Sequence, residues 1–242
     1  MNSKSSAQSI NWRQAFVEVS LIVAGILIAL AVDAWWDQRQ EREAEVSYLE
    51  ALRQDFATNR ESLLAQIALQ QDIVHAGDDV LKMINAGLSD ASSEEFFRSV
   101  TNDLYFFENW TPVTGTYDNI IASGHLLYIE NQPLRVRLAE FRKSLEVIED
   151  MESLQSRTFY ERQSPFLSKY QNNDFSEWSE EYRPPSSPFD VDISKFATLE
   201  YWNLVVEWIY VHSDVISQYR QGVADCERIL QIIDAELDAK RS

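Results

Sequence analysis

Cysteine is almost absent from this 242-residue chain, Cys226 being the only one. One thiol forms no internal disulfide, so packing alone must hold the fold, and paired-cysteine metal and redox motifs are excluded. Cys226 adjoins the apolar line of the last predicted helix. A small core residue is the plain reading there, and an intermolecular disulfide the sharper one. Glycine and proline are scarce, six of each, while 45% of the residues are apolar. That composition favours a packed helical domain over disorder, and no glycine-rich phosphate loop is present. Basic side chains are few: 21 Lys and Arg stand against 39 Asp and Glu, a formal charge of −18. Such a surface repels phosphate backbones and anionic headgroups, which argues against nucleic acid as a partner.

What the chain does have is one long apolar run, Ala15 to Trp36, AFVEVSLIVAGILIALAVDAWW. From Ala15 to Val32 the only polar side chains are Glu18 and Ser20. Eighteen residues rise about 27 Å as a helix, close to the hydrocarbon thickness of a bilayer. Only a helix spans alone, because lipid offers the backbone no hydrogen-bond partner. Trp12 and Phe16 mark one end and Trp35 and Trp36 the other, as expected of interfacial aromatics. Lys4 and Arg13 precede the run, and Asp33 to Glu45 carries five acids against Arg39 and Arg42. The positive-inside rule then predicts a cytoplasmic N-terminus (1–14), a transmembrane helix (15–36) and an extracytoplasmic domain (37–242). The domain side carries a net −19, since residues 1–32 contribute +1. A cleaved signal peptide is the competing reading, with Ala29-Leu30-Ala31 as its cleavage site. The run is longer than a usual signal core, and helical sequence continues past it without a break, which favours an anchor.

Beyond the span, Val46, Leu49, Leu52, Phe56, Leu63 and Ile67 recur at helical spacing. This predicts one very long helix ending at Asn85-Ala86-Gly87, with a kink near Ala76-Gly77. Ser92 and Glu95 match a capping box opening a helix through Phe96, Phe97, Val100 and Leu104. The least regular stretch follows, with a short helix from Thr116 to Ser123 stopped by Gly124. Asn131 and Pro133 then open a helix carrying Leu134, Leu138, Phe141, Leu145, Ile148, Met151 and Leu154, interrupted at Ser164-Pro165. Asn172 to Asp192 reads as the main loop. The last helix, Thr198 to Leu237, is expected to bury Leu199, Trp202, Val206, Ile209, Ile216, Val223, Leu230 and Leu237. The fold expected is all-α: an N-terminal transmembrane helix continuing into an elongated antiparallel helical bundle.

Chemistry-bearing patterns are weak. Asp72-x-x-His75 with Asp78 and Asp79 is half of a di-metal carboxylate unit, present once and with Asp for Glu. Such bundles need the unit twice, so a solvated helix face is expected, with no metal and no other cofactor. Ser123-Gly124-His125 is not a nucleophile elbow. A polar crossover cluster, Tyr117, Asp118, His125 and Glu130, would be the home of any catalysis; the plain alternative is a packed crossover. On a helical wheel Glu18, Gly25, Ala29 and Trp36 fall within about 20° of one line. Gly25-x-x-x-Ala29 is a small-xxx-small pair that lets spans approach, with Glu18 able to bond across the seam. The plain alternative there is Glu18 reaching headgroup water beside small residues placed by chance.

Two stretches resemble a family of uncharacterised bacterial single-span membrane proteins. The first runs from Glu18 through Gly25–Leu30, Trp35 or Trp36, Arg39 and Arg42 to Tyr48, Leu49, Leu52 and Asp55. The second holds Tyr117, Ser123-Gly124, Ile129 and Leu134-Arg135. The resemblance implies a helical outer domain on one span in the bacterial inner membrane, with that domain periplasmic, and it supplies no activity. The function expected is a non-enzymatic, membrane-anchored helical scaffold or accessory subunit. Its partners would be the bilayer and either copies of itself through the span or an unidentified membrane protein. The alternative is a module sensing an extracytoplasmic ligand or partner, which would need another protein for output because only about 14 residues precede the span.

Overall fold

A computed structural model describes residues 12–88, 96, 103–171, 189 and 192–241, with backbone only for 13–15. Among the described residues the chain is helical, without strands. The elements are α1 (Trp12–Ala86), α2 (Gly115–Ala122), a 3₁₀ turn (His125–Tyr128), α3 (Gln132–Thr158), a π-helical turn (Phe159–Gln163), α4 (Ser164–Tyr170), a second 3₁₀ turn (Ile193–Lys195) and α5 (Leu199–Arg241).

α1 is one helix of 75 residues, roughly 110 Å long. Its first part is long and apolar enough to cross a membrane, and every side chain from Phe16 to Glu43 is exposed. Burial begins at Glu45 and then keeps a 4-3 spacing through Leu49, Leu52, Phe56, Asn59, Leu63, Gln66, Gln70, Ile73, Gly77 and Val80, with Ile67 buried beside that line. That is a heptad frame, the period that keeps one face of a helix against its neighbours. α1 ends as predicted, with Gly87 left-handed at φ 84°, a conformation glycine adopts without Cβ strain. Gly77, where a kink was expected, falls within one continuous helix. It lies inside the helix where a Cβ would stand 2.7 Å from Ile209 Cγ1, so glycine serves close helix approach.

α5 returns antiparallel along α1. Glu45 meets Lys240 at 2.6 Å, Arg53 meets Asp234 at 2.6 Å and Arg60 meets Glu227 at 2.9 Å. Its buried line is Tyr201, Val205, Trp208, His212, Val215, Tyr219, Gly222, Cys226, Ile229 and Ile233, again at 4-3 spacing. This corrects the expected seam by one residue. Leu199 is exposed, Trp202, Val206, Ile209, Val223 and Leu230 are half-buried, and of the expected set only Ile216 and Leu237 are buried. The true line contains a histidine, a glycine and two tyrosines, which a count of aliphatic residues passes over. Gly222 lets three helices meet: a Cβ there would stand 3.1 Å from Leu63 and 3.3 Å from Ile148.

α3 packs on α5 through Leu134, Leu138, Phe141, Leu145, Ile148, Glu152 and Gln155. Asn131 caps it by accepting from Leu134 N at 2.9 Å. Ser164-Pro165 does not break the chain's helical course as expected. Pro165 lacks an N–H and its ring crowds the preceding turn, and the π turn just before it widens the helix to accommodate that. The Ser92–Glu95 capping box and most of the Asn172–Asp192 loop lie outside the described residues.

Two apolar cores result. One gathers Leu49 to Ile67 of α1, most of α3 and Val215 to Leu237 of α5. The other gathers Ile73, Val80, Phe96, Leu104, Phe166, Phe196 and Tyr201 to Trp208. Buried polar side chains occupy the region between them.

Candidate functional site

Glu18, Gly25, Ala29 and Trp36 are all exposed on α1, and no atom lies within 4 Å of the position a Gly25 Cβ would take.

The crossover residues are held apart, each with its own partners. Tyr117 is half-buried on α2 and lines a small apolar cavity of about 10 Å³. Asp118 is exposed and accepts from Thr114 Oγ1 at 2.7 Å. His125 Nδ1 pairs with the Tyr48 hydroxyl at 2.6 Å, and its ring stacks on Tyr128 at 4.6 Å. The exposed Glu130 gives its backbone N–H to Glu45 Oε1 at 2.7 Å, and its carboxylate lies 3.7 Å from Lys240. Lys240 is itself half-covered. Burial works against its charge, but the Glu45 hydrogen bond and the pull of Glu45, Glu130 and Glu236 prevail and raise its pKa. These contacts fasten the crossover to α1 and α5. Asp72, His75, Asp78 and Asp79 are exposed, and among the described residues no cluster suited to a metal ion occurs.

The two sequence stretches that carry the family resemblance meet in space. Tyr48 bonds His125, Asp55 Oδ2 accepts from Thr116 N at 3.1 Å, and Phe56 meets Phe141 edge-on at 4.8 Å. Leu49 and Leu52 share a core with Ile129 and Leu134, and Arg135 binds the carbonyls of Ile129 and Glu130. Gly124 is left-handed at φ 73°, the conformation that turns the chain into this contact.

Sequence reasoning missed the most unusual chemistry, a polar interior. The segment between Leu104 and Thr114 is anchored against α1 and α3 by the buried Leu104 and Trp110, with Phe106, Asn109 and Val113 left exposed. Asn59 holds Val113 by two hydrogen bonds, 2.8 and 2.7 Å. Trp110 donates its backbone N–H to Glu152 Oε1 at 2.8 Å and its indole N–H to Ser62 at 2.8 Å. The Tyr219 hydroxyl donates to the same Glu152 oxygen. Burial raises the Glu152 pKa against the lowering pull of these two donors. One layer on, Gln70, Gln155 and His212 meet, one from each long helix. Gln155 Nε2 donates to Gln70 Oε1 at 3.2 Å, and His212 Nδ1 meets the same oxygen. Burial pushes the His212 pKa down to about 3, so the ring is neutral. Extending the 4-3 frame of Leu49, Leu52 and Phe56 would have assigned Asn59, Gln66 and Gln70 to the interior.

Residues 18–155 match the model of a family described as "Family of unknown function (DUF6090)". The chain belongs to that family. The DUF6090 match takes in the apolar segment, the rest of α1, the crossover and nearly all of α3, and it ends at Gln155. α5, with His212 and Tyr219, lies beyond it. No curated protein and no solved structure matches the chain.

Proposed function

We propose that this chain is a membrane-anchored helical scaffold, or accessory subunit of an envelope assembly, without chemistry of its own. The observation that carries the reading is the continuity of α1. The exposed apolar segment and the residues forming the domain core belong to one helix. Between Val32 and Glu45 a lone, exposed helical neck of about 18 Å sets the domain off from the apolar segment. A rigid stand-off of this kind suits holding a partner at a fixed height. The charge bias around the span supports an N-terminus in the cytoplasm and a periplasmic domain on a bacterial inner membrane. Asp118, His125 and Glu130, each paired with a different group, and Tyr117, packed against the core, support a non-enzymatic role. In the second reading, a partner- or ligand-sensing module, the same continuous helix would carry a displacement of the domain to the membrane.

Affinity purification from native membranes in mild detergent, with native mass measurement, tests this. A stoichiometric second protein identifies an accessory subunit. Self-copies alone identify a homo-oligomeric scaffold using the Glu18–Gly25–Ala29–Trp36 face. A lone monomer that turns over a substrate overturns the proposal.

A further inference from the structure

We infer that the polar layer between the two cores is a binding site for a water molecule, which bridges the side-chain amides of Gln70 and Gln155 with Gln66 as its third partner. Among the described residues four glutamines are buried: Gln66, Gln70, Gln155 and Gln163. Gln163 is committed at both ends. Its Nε2 donates to the Leu204 carbonyl at 2.9 Å, and its Oε1 accepts from the Tyr105 hydroxyl at 3.2 Å. The other three are bonded at one end only. Gln66 Nε2 donates to Glu108 at 3.1 Å, and Gln155 Nε2 donates to Gln70 Oε1 at 3.2 Å. Gln66 Oε1, Gln70 Nε2 and Gln155 Oε1 are buried without a hydrogen-bond partner from the protein. Each of these groups gave up water on folding, so leaving it dry is costly.

Turning the amides over does not close these ends. Exchanging N and O in Gln70 alone, or in Gln155 alone, sets two nitrogens or two oxygens against each other. Exchanging both keeps the bond between them and moves the open ends to Gln70 Oε1 and Gln155 Nε2. Turning Gln66 would set its oxygen against the Glu108 carboxylate. Every workable arrangement therefore leaves one amide nitrogen and two amide oxygens open. That is the complement of water, which donates two hydrogen bonds and accepts from a donor. Three partners are also what a buried water ordinarily finds.

The placement suits one bridge. Two amides side by side can close a ring of two hydrogen bonds. Gln70 and Gln155 make only one, and a water between their open ends completes the ring. Gln66 lies one turn before Gln70 on the same face of α1. It also marks the way in, because its partner Glu108 is exposed. The layer thus lies one hydrogen-bonded side chain from solvent. The three long helices α1, α3 and α5 meet there at a wet joint between two apolar cores.

Water-selective rotating-frame Overhauser spectroscopy tests this on the full-length chain in detergent, isotope-labelled at glutamine side-chain nitrogen. The Gln70 or Gln155 side-chain amide, or both, should show a cross-peak to water of sign opposite to the diagonal, which marks a held water and not proton exchange. Gln163, equally buried but paired at both ends, should show none. Gln70→Leu and Gln155→Leu assign the two signals, and each should abolish the cross-peak on the remaining amide. Should these variants fail to fold, a crystal structure of the full-length chain that resolves ordered water needs no substitution. It should show a water about 2.7–3.2 Å from one amide nitrogen and two amide oxygens of Gln66, Gln70 and Gln155. No cross-peak on either Gln70 or Gln155, an equal one on Gln163, or a dry layer in the crystal overturns the site.

Discussion

The side-chain amide of Asn59 closes a two-hydrogen-bond ring with the backbone of Val113, donating at 2.8 Å and accepting at 2.7 Å. An amide thus occupies a heptad position of α1 where an aliphatic residue would ordinarily sit, and it pins an irregular segment into the core. Asn59→Leu strands both the N–H and the C=O of Val113. Val113 is itself exposed, so water replaces part of each lost bond, and the variant should lose roughly 1–2 kcal/mol in total. Chemical denaturation followed by tryptophan fluorescence reads this directly, since Trp110 sits in the same segment.

His212 makes the protein acid-sensitive. Its folded pKa, about 3, lies below the ordinary value of 6.5 because burial disfavours the charged ring. The unfolded chain therefore binds this proton more readily. The contribution is complete above pH 6.5, falls as pH drops below it, and levels off near pH 3. At pH 5 the loss is roughly 2 kcal/mol. Melting curves between pH 4 and 7 should show a steeper slope for the wild type than for His212→Leu.

Glu152 works with the opposite sign. Burial holds its folded pKa above the ordinary carboxylate value, so the folded state prefers the protonated acid, and ionisation at neutral pH opposes folding. Glu152→Gln keeps an oxygen acceptor for Trp110 and Tyr219 while removing the charge. It should melt higher than wild type at pH 7, and the gap should close as pH falls below the ordinary carboxylate range.

Much of α1 is legible in the sequence because Leu49, Leu52, Phe56 and Leu63 mark its face with aliphatic and aromatic bulk. Asn131, Pro133 and Gly124 likewise announce their turns through backbone chemistry. The interior polar residues are not legible by hydrophobicity, since Gln70, Glu152 and His212 look like solvent-facing groups until a partner across the core is known. The α5 seam slipped by one residue for the same reason: Gly222 and His212 lie on it, and Ile209 and Val223 lie beside it. The Leu104–Thr114 segment has no period at all. Its signal was aromatic density, with Tyr105, Phe106, Phe107 and Trp110 together.

Two glycines on α1 should respond differently. Gly77 lies against Ile209, and Gly25 has open space around it. Gly77→Ala gains about 1 kcal/mol of helix propensity but forces Ile209 aside, at a cost of roughly 1–3 kcal/mol. It should lower the melting temperature, and Ile209→Val should restore it in part. Gly25→Leu should leave the domain's melting temperature unchanged. Any fall in self-association in a membrane two-hybrid assay then reports contact between spans.

Spin-label depth profiling tests the central claim, that one helix passes from the bilayer into the domain core. Single labels at successive positions from Phe16 to Leu52 would be read in lipid vesicles by collisional relaxation with oxygen and with a water-soluble nickel complex. The account predicts oxygen-rich, nickel-poor environments across Phe16–Val32, nickel access around the whole helix from Asp37 to Glu43, and protection at Leu49 and Leu52 on the heptad period. Nickel access throughout Phe16–Val32, or loss of helical periodicity beyond Glu45, would contradict it.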